Sequence, residues 1–137
     1  MRGWIPWLLV AALGCGDDPE QWDEGRPRVD RLQLLQQSPQ DPLALEIQVS
    51  FEDSDGDLGA GKVELFVDEQ RTAELSMSEV FAQQTPRLAL DAKEGQIELI
   101  VRLVDEVAIG DRLKIGVVLE DGRGHRSNEP YFEVEAF

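Results

Sequence analysis

The chain has 137 residues, 28 of them Asp or Glu against 13 Lys or Arg, and a formal charge of −15 at neutral pH. So acidic a chain has nothing with which to neutralise phosphates, which excludes nucleic-acid binding, and it lacks the basic face that holds a protein on an anionic bilayer by charge. Its single cysteine rules out an internal disulfide, so stability has to come from burial.

Arg2 stands ahead of an apolar run from Trp4 to Leu13, and Ala12-Leu13-Gly14 makes a small-residue approach to Cys15. This is the layout of an export signal: a positive start, a short apolar stretch and a cleavage site. An apolar stretch of about ten residues is too short to cross a bilayer as a helix, which takes about twenty. The run Ala12-Leu13-Gly14-Cys15 resembles the lipobox of bacterial lipoproteins, with Ala12 where that family most often has Leu. The resemblance implies removal of residues 1–14, a lipid on the Cys15 thiol and an acyl chain on the freed amine. Three acyl chains, at about 0.8 kcal/mol per buried methylene, make an essentially permanent anchor. On the same resemblance, Gly16 after the cysteine implies passage to the outer membrane of the bacterial envelope. The membrane is thus the expected partner of Cys15, and the modified residue leaves no thiol for a metal site or a nucleophile.

Residues 16–27 are rich in Gly, Pro and acid and lack periodicity, so they read as a flexible spacer carrying one aromatic, Trp22. From Arg28 the pattern becomes alternation. Leu32 and Leu34 suggest a first strand, and Leu43, Leu45, Ile47, Val49 and Phe51 share one parity of a second. The same period of two recurs at Val63, Leu65 and Val67, then at Ile97, Leu99, Val101 and Leu103, then at Leu113, Ile115, Val117 and Leu119. Leu88 with Leu90 reads as a short strand, and Phe132 with Val134 as a closing one. The segment from Glu74 to Gln84 reads as irregular structure or a short helix crossing one end. About seven short strands separated by Gly, Asp and Pro turns predict one all-β domain over 28–137, an antiparallel sandwich with each sheet burying one face.

Two loops add a resemblance. The run Phe51-Glu52-Asp53-Ser54-Asp55-Gly56-Asp57-Leu58-Gly59 looks like the B-to-C turn of immunoglobulin-like domains in bacterial lipoproteins. The closing run from Ile115 to Asn128 resembles the last hairpin of such domains, with His125 where Asn is commoner. The resemblance implies an immunoglobulin-like architecture and no particular activity.

Candidate chemistry centres on Asp53, Asp55 and Asp57. Together with Glu64 they repeat the carboxylate spacing of an EF-hand, but Leu58 occupies the position where the loop needs glycine, and strands flank it instead of helices. Glu64, between Val63 and Leu65, is expected to face solvent. A looser calcium site on Asp53, Asp55 and Asp57 is one expectation; an acidic turn with carboxylates bonded to nearby amides is the other. No other cofactor is implied. His125, the lone histidine, reads as an exposed turn residue, since neighbouring loop residues such as Ser127 rarely take triad geometry. Phe66, Ile100, Val104 and Val118 fall on the outward parity of their strands and form a candidate patch for a protein partner.

The expected function is a non-catalytic binding or structural module held at the bacterial envelope by the lipid on Cys15. A calcium-dependent adhesion or interaction module using the Asp53–Asp57 loop is the alternative, and an envelope hydrolase the lesser one. Ligand and oligomeric state stay open at this point.

Overall fold

A computed structural model describes residues 7–14, 25–37, 44–102 and 111–136. In chain order the strands are β1 (Trp7–Gly14), β2 (Arg28–Gln37), β3 (Ala44–Glu52), β4 (Lys62–Val67), β5 (Gln70–Ser76), β6 (Glu94–Arg102), β7 (Arg112–Glu120) and β8 (Tyr131–Ala136). One short helix, α1 (Met77–Gln83), and a 3-10 turn, Leu58–Ala60, complete the described elements.

The polypeptide folds as an all-β sandwich. β2, β3 and β6 form one antiparallel sheet, and β8, β7, β4 and β5 form the facing one. Read as A, B, E against G, F, C, C′, this is the immunoglobulin-like order, with the strand after C joined to C instead of crossing to the opposite sheet. β1 adds to the outer edge of β8, antiparallel, from Trp7↔Ala136 to Gly14↔Tyr131.

Period-two alternation carries the core. Leu45, Ile47 and Val49 on β3 are completely buried, and Phe51 is 1% exposed. Across the sandwich they meet Val63 and Leu65 of β4, Ile115, Val117 and Leu119 of β7, and Phe132 and Val134 of β8. Full burial of each such side chain contributes about 1.5–3 kcal/mol, which is what the conformational entropy of ordering the strands must be set against. α1 covers one end of the core. Its Met77, Val80 and Phe81 are buried, and Phe81 stacks on Phe51 with ring centroids 5.6 Å apart.

The expected strand at Leu88–Leu90 does not form. Leu88 is only half-buried against the core, its amide bonds the Phe81 carbonyl, and Leu90 is exposed. Its place in the count is taken by β5, whose sequence QRTAELS has no apolar alternation because it is an edge strand with both faces largely in water. Glu64 also departs from expectation. It faces outward from the middle of its sheet yet is 4% exposed, because Arg126 Nη1 donates to Oε1 at 2.6 Å and Arg71 Nη1 to Oε2 at 3.3 Å. The two guanidinium groups cover the carboxylate that the alternation aims at solvent.

The packed domain begins before β2. Gly25 and Pro27, the end of the expected spacer, are buried, and Arg26 Nε donates to the Arg126 carbonyl at 3.0 Å. Trp22 lies outside the described residues. The edge of β6 is covered by Gln84, whose side-chain amide accepts from Glu98 N at 2.9 Å and donates to Glu98 O at 3.3 Å.

Candidate functional site

One end of the sandwich gathers the loop after β3 and the hairpin tip after β7, and with them the acidic residues. The first loop opens with a tight turn in which Gly56 N donates to Asp53 O at 3.0 Å, and the turn needs the positive φ of 68° that Gly56 supplies. The chain then continues through the 3-10 turn to Gly61. A side chain there would collide with the Glu120 carbonyl, so only glycine lets this loop close on the end of β7. The Asp57 carbonyl accepts from Gly122 N at 3.0 Å, which locks the two loops together.

Asp53, Asp57 and Asp121 converge at this junction, each offering a carboxylate oxygen within 4.8 Å of the other two. Asp53 is wholly buried and Asp121 is 2% exposed. Asp121 is well held: its Oδ1 accepts from the amides of Arg123 at 2.9 Å and His125 at 2.8 Å, and its Oδ2 lies 3.0 Å from His125 Nδ1. Asp53 Oδ2 accepts from Asp57 N at 3.1 Å. Asp53 Oδ1 and both carboxylate oxygens of Asp57 are buried without a hydrogen-bond partner. Burial, followed by the facing Asp57 carboxyl, pushes the Asp53 carboxyl up to about 6. The exposed Arg123 lies alongside: its Nε stands 3.7 Å from Asp57 Oδ2, beyond hydrogen-bond distance, and Nη1 stands 4.0 Å from Asp55 Oδ2. Three carboxylates arranged this way have the hard oxygen donors and the local charge to hold a divalent cation.

The expected trio is thus redrawn. Asp53 and Asp57 belong to the cluster, but Asp55 is exposed at the turn apex, and its place is filled by Asp121 from the other loop. Spacing along one segment cannot reveal such a partner. Sandwich topology can, because the loops after β3 and β7 share one end of this fold. Glu64, the twelfth position of the EF-hand spacing, is committed to its arginines instead.

The expected apolar patch divides. Phe66 and Val118 line one recess of about 250 Å³ on the outer face of the four-stranded sheet, with Lys114, Gly116, Pro130 and Tyr131. Gly116 forms its floor: Phe66 and Tyr131 flank the position its side chain would take. Lys114 Nζ sits 4.1 Å from the Tyr131 ring centroid and 2.8 Å from Glu69 Oε1. The rim is the β4–β5 turn, where Asp68 and Glu69 both hold positive φ, 51° and 70°. That left-handed pair costs about 1–2 kcal/mol per non-glycine residue, and the turn is pinned by Asp68 Oδ1 accepting from Lys114 N at 2.9 Å. Ile100 lies on the other sheet, half exposed, beside α1. Val104 and Cys15 fall outside the described residues.

Ser127 is buried, its hydroxyl donating to Asn128 O at 2.7 Å and accepting from Leu119 N at 2.8 Å. That hydroxyl braces the hairpin, and the His125 ring faces Asp121 instead. A comparison with known protein families finds no match, and a comparison with curated proteins finds none either.

Proposed function

We propose that this chain is a lipid-anchored module of the bacterial envelope that binds a protein partner without catalysis, through the recess on its four-stranded sheet. The observation that carries the reading is the meeting of Phe66, Val118, Pro130 and Tyr131 around the Gly116 floor, on the outer face of a sheet in a chain of charge −15. Acidic proteins expose charge readily; an apolar hollow floored by glycine is what an inserted aromatic or aliphatic side chain needs. The lipobox-like run ending at Cys15 supports the anchor, and the acidic surface leaves the acyl chains as the means of membrane attachment.

Two measurements test this. The Cys15→Ala chain leaves the membrane fraction for the soluble one while keeping its circular dichroism; continued membrane association defeats the anchor. A photo-cross-linker at Glu129, at the rim of the recess, yields one discrete adduct in intact cells, and Gly116→Leu abolishes it while leaving thermal unfolding cooperative. An adduct unaffected by filling the recess defeats the binding face.

A further inference from the structure

We infer that Asp53, Asp57 and Asp121 form a calcium site that staples the loop after β3 to the hairpin tip after β7. This goes beyond the proposed function, since it concerns neither the lipid nor the recess.

The first ground is the convergence of three carboxylates from two loops, with ligand atoms within 4.8 Å of one another. A cluster of acids alone is ordinary in so acidic a chain. The second ground is independent of it: Asp53 is completely buried, and its Oδ1 has no hydrogen-bond donor. Both Asp57 oxygens share that condition. A buried carboxylate oxygen without a partner loses the hydration that stabilises it, and two facing carboxylates need something positive between them. Backbone amides already supply what they can, to Asp53 Oδ2 and to Asp121 Oδ1. Arg123 Nε stands 3.7 Å from Asp57 Oδ2, beyond hydrogen-bond distance, and its side chain is 70% exposed, so its charge is shared with solvent.

The donor set selects the ion. Carboxylate oxygens favour hard cations over zinc or copper, which take imidazole and thiolate. The one ring nitrogen nearby, His125 Nδ1, faces an Asp121 oxygen instead of joining the cluster as a ligand. Calcium accepts six to eight oxygens in loose geometry; magnesium demands near-ideal octahedral placement that two separate loops do not readily provide. Asp121 can ligate while still accepting its amide bonds, because each carboxylate oxygen has two lone pairs.

The site is tested with calcium alone on the purified full chain. With Ca²⁺ at about a hundred times its dissociation constant, the melting temperature rises by about 5–10 °C over the chelated protein, and Mg²⁺ gives a smaller rise. Asp121→Asn keeps an oxygen for the amide bonds but weakens calcium binding at least about tenfold by calorimetry. Arg123→Ala binds calcium as tightly as the unaltered chain or more tightly, because it removes a competing charge. Three results would overturn the site: no shift at 5–10 mM Ca²⁺ (on the order of the weakest extracellular calcium modules or above), a shift that persists in the Asp53→Asn/Asp57→Asn chain, or Arg123→Ala abolishing the response. In the first case, a rise in the melting temperature of Asp57→Asn without calcium would identify the cluster as a carboxyl pair sharing a proton.

Discussion

Asn128 pairs with Val29 as one strand pairs with another. Its side-chain Oδ1 accepts from Val29 N at 2.7 Å and its Nδ2 donates to Val29 O at 3.0 Å, across 99 residues of sequence and in a buried setting. One carboxamide therefore ties the first residues of the three-stranded sheet to the segment leading into β8. Asn128→Ala leaves both Val29 groups buried and unsatisfied, so it is expected to lower unfolding stability by about 2–4 kcal/mol. Asn128→Asp retains the acceptor and loses the donor, and is expected to fall between the two in urea-induced unfolding.

Glu64 is another buried polar anchor. Truncating Arg126 leaves the carboxylate with Arg71 alone at 3.3 Å, and about 1–2 kcal/mol of stability is expected to go, less than for a deeply buried pair because both arginines reach solvent. Glu64→Leu should cost less than Arg126→Ala, since it removes the charge that needs covering. A double-mutant cycle across Glu64 and Arg126 measures the coupling directly.

Calcium-free stability should depend on pH through Asp53. Its folded carboxyl titrates near 6, against 3.8 for the free group, so the folded state holds the proton more tightly than the unfolded chain does. The stabilisation is therefore fully present below about pH 4 and is lost as pH rises through about 6. Asp57 from the same loop and Asp121 from the hairpin tip lie close to Asp53, and Arg123 lies beside Asp57, so the titration belongs to the group. Asp30, also raised by burial and then by Glu52, acts in the same direction. Melting temperature is expected to decline from pH 4 to pH 7 in chelator, with a shallower decline in Asp53→Asn.

Removal of residues 1–14, as the export-signal reading requires, takes β1 from the outer edge of β8. The described core is drawn from Val29 to Val134, so the chain beginning at Cys15 is expected to stay folded. Hydrogen exchange should quicken at those amides of Tyr131–Ala136 that faced β1, while β3 and β6 keep their protection. Collapse of the shortened chain would make β1 a working part of the sandwich.

The sequence made the inward strands legible because burial of one face leaves a period of two: Leu45, Ile47, Val49 and Phe51 are buried as their parity predicts. It could not disclose β5, whose edge position imposes no apolar pattern, nor the reversal at Glu64, whose covering arginines come from other segments. The same limit applied to the site. Asp53 and Asp57 stood out in their acidic run, whereas Asp121 resembled any hairpin aspartate until topology placed it opposite them. Outward parity found Phe66 and Val118 but grouped them with Ile100, because parity marks a face without saying which sheet owns it.

Gly25 lies against the Asp55 carboxylate, and Arg26 reaches the carbonyl of Arg126. The chain therefore enters the sandwich at the very pole where Asp53, Asp57 and Asp121 meet. The ten peptide steps from Cys15 to Gly25 extend over at most about 35 Å. On the proposed lipid anchoring, a tether from Cys15 would therefore meet the domain at that pole. The Phe66–Tyr131 hollow lies away from it, on the flank of the four-stranded sheet, so the point where the tether joins leaves the proposed binding face uncovered.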